Sequence, residues 1–392
     1  MAISIRFFTV AVSLLTLSFI PALLYAQPDS SGTTPSVTPQ PLVGLHPSAR
    51  SLMAPKISLG FTHYAGSFIT TDPKAEYVRD GYASFSELAL MVSAKGNRPW
   101  HATHNFPSWG FALIHGQTGS REYIGKMTAA YAFLDLPLLR RSRYRLSLKA
   151  GAGPGIIGKP YDVYSNPKNT MIGTRLNVFI NAVLKNEFLV TDRLSLNAGI
   201  GFMHLSNGGT TLPNLGLNTP GISAGLRYAF SPEEWTTLKP AREPFQPAFL
   251  LQVQSSAGIR QASWVGGNHY LINLVQGEAG KRTAPNHYFG AGLQLVYNRS
   301  LDYHPSDTPA ETVSREKFQA GIYAAYEHHF GKLSFPFQVG FYLYNKNNYP
   351  VIFQQYGARL AFSGNWNCFA MLKSHLGKAD FIHAGIGYKF WR

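Results

Sequence analysis

Apolar and polar residues alternate with a period of two along most of the chain. In the segment YRLSLKAGA, Tyr144 and Leu146 share one face, whereas Arg145 and Lys149 share the other. Because successive side chains of a strand point to opposite faces, this alternation predicts β-strands with one apolar and one polar face. Helical periodicity is nearly absent, so the sequence predicts an all-β protein.

Turn residues divide the alternating region into about sixteen candidate strands, most of them about 9 to 14 residues long. The predicted strands are 57–65, 84–94, 108–116, 122–134, 143–153, 173–188, 193–206, 219–230, 247–259, 267–277, 286–298, 316–330, 332–345, 352–364, 366–375 and 379–390. Segments of this length and alternation, repeated many times, are typical of a barrel.

The polar faces of these strands contain mainly Gly and Ser, with only occasional Lys or Arg. The outer face of a soluble sandwich would carry many more long charged residues, so the mixture fits a barrel lumen with lipid outside. Aromatic residues such as Tyr228, Phe230, Tyr388 and Phe390 lie at strand ends, where interfacial girdles form. The predicted fold class is therefore an antiparallel transmembrane β-barrel of the bacterial outer membrane.

Two architectures are compatible with the strand pattern: one closed barrel of about sixteen strands, or an eight-stranded barrel followed by a second β unit. The single barrel is preferred, since the last strand repeats the lipid-facing pattern and a continuous series of hairpins leaves no edges. A Pro-containing connector, 231–246, separates a first half, 56–230, from a second half, 247–392.

The N-terminal 55 residues have a different character from the barrel region. Residues 1–26 contain one charge, Arg6, and an apolar run, as expected of a secretory signal peptide. Residues 27–55 are rich in Ser, Thr and Pro, which predicts a disordered leader. No later apolar stretch approaches the length of a membrane-spanning helix, so the mature chain is either soluble or crosses a membrane as strands.

Charge and cysteine content narrow the possible partners. The formal net charge is +15, and basic runs with interleaved aromatic residues are absent from the sequence. An exported protein of this kind is expected to meet anionic lipid headgroups rather than nucleic acid. The single cysteine, Cys368, excludes an internal disulfide.

The length of the connections predicts which barrel end faces outward. If the N-terminus is periplasmic, connections after odd-numbered strands are external. The long segments 154–172, 207–218 and 299–315 then all lie outside. Short turns at VTDR and HFGK face the periplasm.

A histidine and a serine stand two positions apart at the external end of the strand 193–206. His204 and Ser206 share a strand face, with Cα atoms about 6.5–7 Å apart, so the imidazole can reach the hydroxyl. Both continue the apolar, lipid-facing stripe of Ile200 and Phe202. A His-x-Ser at a strand end is more often an interfacial polar cap. A catalytic pair in this place would be useful only if the substrate is a membrane lipid.

The longer segment HLSNGGTTLPNLGLN resembles the active-site segment of the PagL-type lipid A 3-O-deacylases, which are outer-membrane barrels that hydrolyse an ester-linked acyl chain of lipopolysaccharide. The matching positions are His204, Ser206, Asn207, Gly209, Pro213, Asn214 and Gly216. The resemblance implies that Ser206 is the nucleophile and His204 the general base. It also implies Asn207, Asn214 and the Gly209 amide as oxyanion donors.

One position departs from the family's pattern: Asn218 stands where the family has a glutamate that orients the histidine. An asparagine can orient a base through its amide oxygen, but it cannot stabilise the imidazolium with a full charge. The sequence between Asp192 and Glu233 contains no Asp or Glu. Weaker catalysis, a carboxylate from another strand, or a degenerate site are the possible consequences.

The resemblance extends over residues 80–230, and the second half resembles the distal half of longer exported relatives called acyloxyacyl hydrolases. The leading hypothesis is a metal-independent serine esterase, without a cofactor, that acts on lipid A or lipopolysaccharide in the outer membrane. The alternative is a non-catalytic barrel, either a porin or a structural protein. Acyl transfer to another lipid is a third hypothesis.

Two histidine pairs invite a metal-site interpretation. His101 and His104 lie in HATH, and His328 and His329 lie in EHHF. Neither pair has the Cys or carboxylate spacing of a zinc site, so a turn or interface role is favoured.

Overall fold

The computed structural model describes residues 56–70, 72–94, 98–233, 235, 245–261, 264–302, 317–346 and 350–390. The predicted signal peptide, 1–26, and the leader, 27–55, lie outside these residues, as does most of the predicted connector. The described residues form sixteen antiparallel strands. No helix among them is long and apolar enough to span a membrane.

Each predicted segment corresponds to one strand, although some strand ends differ by up to seven residues. They are β1 (Ile57–Gly66), β2 (Ala83–Ser93), β3 (Ser108–Thr118), β4 (Lys126–Arg140), β5 (Tyr144–Ile157), β6 (Leu176–Leu189), β7 (Leu194–Ser206), β8 (Leu217–Ala229), β9 (Ala248–Gln261), β10 (His269–Ala284), β11 (His287–Asn298), β12 (Phe318–Phe330), β13 (Leu333–Tyr344), β14 (Ile352–Ser363), β15 (Trp366–His375) and β16 (Lys378–Lys389). Three short helices, Pro73–Val78, Pro99–Thr103 and Arg299–Asp302, lie in connections.

The sixteen strands close into two barrels of eight, so the β-barrel class is confirmed and the preferred single barrel is wrong. Strand β1 pairs with both β2 and β8, and β9 pairs with both β10 and β16. Alternation along a strand fixes which face is lipid-like, but it does not determine which strand closes the ring. The second unit of the alternative architecture is itself a barrel, and we call the two units the first and second barrels.

The outward and inward faces agree with the predicted register. On β5, Arg145, Ser147 and Lys149 are buried inside the barrel. On β8, Ile222 and Leu226 are exposed outside. Apolar side chains outside and polar side chains inside are the arrangement of a barrel that spans a membrane.

The lumen of the first barrel is filled by a buried network of charged side chains. Glu187, which is inaccessible to solvent, accepts hydrogen bonds from Arg145 at 2.5 Å, Arg227 at 2.6 Å and Ser195 at 2.6 Å. A cavity of about 30 Å³ remains nearby, room for one or two water molecules. In the same lumen, Lys149 of β5 bonds to Glu87 of β2, and an eight-stranded barrel is narrow enough for side chains of such non-neighbouring strands to meet.

Amide side chains fill much of the second lumen. Gln276 Nε2 donates to Gln338 at 3.2 Å, and Gln355 Nε2 donates to Gln294 at 3.1 Å. Glu278 accepts from Gln338 at 3.0 Å. These bonds cross between strands that are not neighbours, so the lumen is packed by side chains.

The described part of the connector closes one end of the first barrel. Arg227 donates to Glu233 at 2.6 Å, and the Arg145 guanidinium lies 4.8 Å from the centre of the Trp235 ring. Burial by itself would raise the pKa of Glu233, but the Arg227 charge outweighs it and holds that pKa below its usual range. The connector therefore begins as a cap on the lumen.

The two barrels contact each other at both ends. At the end where β2 meets β3, His104 Nε2 lies 2.9 Å from His328 Nε2. At the other end, Thr211 Oγ1 lies 3.0 Å from His269 Nε2. Burial lowers the pKa of His104 to about 4, so its imidazole is neutral at physiological pH. Equivalent ends of the barrels lie together, as expected of two barrels side by side.

Most long connections lie at the predicted outer end of the strands. The ends of odd-numbered strands carry the long segments 158–175, 207–216 and 299–317, whereas 141–143 and 331–332 are short turns at the other end. Two long connections lie at the other end: 230–247, which joins the two barrels, and 94–107, which contains the helix Pro99–Thr103 and makes the contact with the second barrel. The length of the connection 94–107 allows it to reach the second barrel.

Candidate active site

The His-x-Ser segment lies at the end of β7, next to the loop 207–216, which we call the site loop. Outward side chains of β7, such as Leu196 and Ile200, are exposed, and His204 and Ser206 continue the same register. His204 pairs directly across the ladder with Asn218 of β8. Opposed residues of an antiparallel pair share a face, so all three polar side chains belong to the outer face of the barrel.

The three side chains form a hydrogen-bonded row. His204 Nε2 lies 2.9 Å from Ser206 Oγ, and His204 Nδ1 lies 2.8 Å from Asn218 Oδ1. Because an amide oxygen only accepts, Nδ1 carries the proton and Nε2 presents its lone pair to the serine hydroxyl. This row has the geometry of a nucleophile, a base and an orienting group.

Backbone from two other connections encloses the row. Ile69 N donates to Asn218 O at 2.7 Å, and Gly216 N donates to Met171 O at 3.1 Å. Ser206 is buried, with 7% of its surface exposed, although its strand register points outward. The loops therefore shield the row from solvent at its outer end.

Gly216 is the closest part of this enclosure to the histidine. Its φ is +74°, and a Cβ at this position would lie 3.0 Å from His204 Cε1. For the esterase activity that the resemblance implies, we expect Gly216→Ala to lower the rate about tenfold or more, because the methyl group presses on the ring and the left-handed backbone costs about 1–2 kcal/mol. The rate of acyl release from lipid A, measured by mass spectrometry, checks this result.

Gly364→Ala is the matched control for Gly216→Ala. Gly364 also has a positive φ, +48°, but no atom of the described chain lies within 4 Å of its added Cβ. The control introduces backbone strain at the far end of the second barrel and leaves the row untouched. Equal losses of activity in both variants would contradict a specific contact at Gly216.

The three residues implied as oxyanion donors converge in the site loop, where they bond to one another. Asn207 N donates to Asn214 Oδ1 at 3.1 Å, and Gly209 N donates to Asn207 Oδ1 at 3.0 Å. Asn207 Nδ2 donates to Thr211 O at 2.7 Å. The Gly209 N–H therefore already donates to Asn207. The side-chain amide of Asn207 has two N–H bonds, and the bond to Thr211 uses one of them.

The second barrel also contains a serine next to a histidine, but those two do not form a row. Ser374 Oγ donates to Gln354 at 3.4 Å, and His375 Nε2 bonds to the Tyr342 hydroxyl at 3.1 Å. Adjacent residues of a strand point to opposite faces, so Ser374 and His375 cannot pair directly. Within the described ranges, no three His, Cys, Asp or Glu side chains assemble as a metal-binding group.

Several residues around the row were not predicted from the sequence. Ile69 and Met171 reach it from other connections, and Gln261 and His269 approach the site loop from the second barrel. Of these, only Met171 could have been found from the sequence, since it lies in the segment YSNPKNTMIGTRLN, within the region that resembles the deacylase family. Contacts between barrels leave no pattern in a single sequence.

No curated protein matches the sequence. Among solved structures, the chain is similar to mutants of the porin of Rhodopseudomonas blastica. One mutant has 11% identity over 85% of this chain and all of that chain, and another has 10% identity over 86% of this chain and all of that chain, each with a TM-score of 0.20.

Both barrels match family models. Residues 88–227 match the lipid A 3-O-deacylase (PagL) family, and residues 249–392 match the acyloxyacyl hydrolase C-terminal domain of the same family. The first match contains the whole His204–Ser206–Asn218 row, and the second covers the second barrel. The chain therefore belongs to the PagL family of lipid A 3-O-deacylases and acyloxyacyl hydrolases.

Proposed function

We propose that the protein is an outer-membrane serine esterase that removes an ester-linked acyl chain from lipid A. Membership of a lipid A deacylase family supports the ester substrate. The observation that carries the proposal is the bonded row, with Ser206 Oγ 2.9 Å from His204 Nε2 and Asn218 Oδ1 2.8 Å from Nδ1.

In the proposed reaction, Ser206 is the nucleophile and His204 the general base. The imidazole Nε2 takes the hydroxyl proton as the oxygen attacks the ester carbonyl, and Asn218 keeps the ring in the required tautomer. Collapse of the tetrahedral intermediate transfers the proton from His204 to the departing sugar oxygen and leaves an acyl-enzyme. Water, deprotonated by the same imidazole, then releases the fatty acid.

The developing negative charge on the carbonyl oxygen requires hydrogen-bond donors near Ser206. Asn207 follows the nucleophile directly, and its side-chain amide retains an N–H beyond the bond to Thr211. Asn214 adjoins it through the Asn207 backbone amide. Gly209 could join them only by exchanging its bond to Asn207.

The outward register of the row agrees with a membrane lipid as substrate. His204 and Ser206 continue the face that exposes Leu196 and Ile200, at the end of the barrel that carries the long connections. A lipid A acyl chain in the outer leaflet lies beside that face. We therefore place the protein in the outer membrane with the row near the outer leaflet.

A porin is the weaker alternative, because both lumens contain packed side chains. The charged network around Glu187 and the amide bonds around Gln338 occupy the space that an aqueous channel would need. A non-catalytic structural barrel is favoured by one feature only, the amide at position 218 in place of a carboxylate.

The test is incubation of the purified, folded protein with lipid A in detergent micelles and in vesicles, followed by mass spectrometry. We expect a mass loss equal to one ester-linked acyl chain, with release of the free fatty acid. Acyl transfer would instead yield a second acylated lipid. Unchanged lipid A in every lipid environment would favour the structural barrel.

A further inference from the structure

The second barrel touches the site loop directly. Gln261, the last residue of β9, accepts a hydrogen bond from Leu212 N at 2.6 Å through its side-chain oxygen. Its side-chain nitrogen donates to Gly267 O at 2.8 Å in the neighbouring connection. With only 5% of its surface exposed, this glutamine is held at both ends of its amide. It is therefore a fixed anchor on the second barrel.

The bond from Leu212 connects the anchor to the nucleophile in three steps. The Leu212 N–H and the Thr211 carbonyl belong to one rigid peptide group. Gln261 holds the N–H, and the Thr211 carbonyl accepts from Asn207 Nδ2 at 2.7 Å. Asn207 is bonded covalently to Ser206. Hydrogen bonds at both ends of a peptide group polarise and strengthen each other.

Close packing between the site loop and the second barrel supports the connection from Gln261 to Ser206. Gly208 and Gly209 have positive φ values of 65° and 87°. A Cβ on Gly208 would lie 2.3 Å from Ile382 Cδ1, and one on Gly209 would lie 2.4 Å from Asp380 O. The site loop is thus pressed against β16 of the second barrel, where glycine allows the close approach. His269 adds a bond to Thr211 at 3.0 Å.

We propose that Gln261 of the second barrel is a positioning residue for the active site of the first. It fixes the Thr211–Leu212 peptide, and through it the side chain of Asn207 beside Ser206. The second barrel then acts as a structural clamp on the site loop. This role rests on the proposed esterase function, and it gives the C-terminal half a part in the reaction.

The experiment compares variants of the full chain in the lipid A assay. Gln261→Leu removes both hydrogen bonds, and we expect kcat to fall about tenfold with KM little changed, since the lipid-facing surface remains. Gln261→Glu keeps the acceptor for Leu212 N but loses the donor to Gly267 O, so it is expected to retain more of kcat than Gln261→Leu. Gln294→Leu is the matched control, because Gln294 is an equally buried amide of the second barrel that bonds to Gln355.

A second measurement is independent of activity. Hydrogen exchange of the site loop, followed by mass spectrometry, is expected to be faster in Gln261→Leu than in wild type or Gln261→Glu. If the wild type does not deacylate lipid A, the esterase proposal fails, and unchanged exchange would still decide against the clamp.

A second variant applies if Gln261→Leu does not fold. Thr211→Val loses the hydrogen bond between the site loop and His269, and we expect its kcat to fall about threefold. Wild-type kcat and wild-type hydrogen exchange in the folded variants would overturn the proposal.

Discussion

Replacement of Ser206 by alanine is expected to lower lipid A deacylation at least about 10³-fold, to the level of the uncatalysed sample. The change removes the only atom of the row that can form the acyl-enzyme, while His204 and Asn218 keep their mutual bond. Mass spectrometry of lipid A after long incubation measures the residual rate. Trapping the acyl-enzyme in the wild type, as a mass increase on the peptide with Ser206, provides the complementary signal.

Ser223→Ala is the matched control for this loss. Ser223 lies on β8, points into the lumen, and its buried hydroxyl makes no hydrogen bond within the described residues. We expect wild-type activity and an unchanged unfolding transition. An active Ser206→Ala protein would mean that another nucleophile, or an activated water, performs the reaction.

The barrel class could be predicted from the sequence because strand alternation is a local property. The predicted and observed ends of β7, for example, differ by a single residue at Leu194. Strand β10 continues to Ala284, seven residues beyond its predicted end at 277. The segment GEAGKRTA lacks apolar alternation and so was not predicted as strand, but it pairs with β9 as far as Ala248. Local composition missed a strand end that the neighbouring strand determines.

Ring closure could not be predicted in the same way. The pairing of β1 with β8, from Ser58 opposite Ala229 to Gly66 opposite Gly221, joins residues far apart in the chain. Both candidate architectures use the same hairpins and the same lipid-facing register. What distinguishes them is whether lumen side chains of strands far apart in the chain, such as Arg359 of β14 and Gln254 of β9, meet inside one barrel, and a single sequence does not display that contact.

The candidate row could be predicted for a different reason: its members lie within one hairpin. His204 and Ser206 share a face by strand periodicity, and the β7–β8 hairpin brings Asn218 opposite His204. The anchor Gln261 could not be predicted, because it reaches the site loop from a separate barrel.

Under the proposed mechanism, replacement of Asn218 by leucine is expected to lower kcat about 10²-fold. Leucine has the same branched shape but cannot accept the hydrogen bond from His204 Nδ1–H, so the ring loses the contact that fixes its tautomer and its orientation. The protein should remain folded, because the Asn218 backbone keeps its ladder pairing with His204 and leucine introduces no charge at this buried position. The measurement is kcat in the lipid A assay, with heat-modifiable gel migration as the test of folding. Unchanged kcat would show that His204 does not depend on this contact.

Asn218→Asp is expected to have the opposite effect, a rise in kcat of about tenfold. The resemblance implies a glutamate at this position, but Asn218 Oδ1 already lies 2.8 Å from His204 Nδ1, so the isosteric aspartate places a carboxylate oxygen at the bonded position without repacking. A full negative charge stabilises the imidazolium that forms as Ser206 attacks, whereas an amide dipole stabilises it less. The burial of Asn218, with 8% of its surface exposed, makes the charge costly in the resting protein, so a lower unfolding midpoint should accompany the faster reaction.

Asn186→Asp is the control. Asn186 lies on the neighbouring strand β6 and is another outward amide, which accepts a hydrogen bond from Tyr144 at 2.7 Å. Faster turnover in Asn218→Asp alone would mean that the missing charge limits the wild-type enzyme. Equal rates in wild type and Asn218→Asp would mean that the amide orients the base as well as a carboxylate does, and that another step sets the rate.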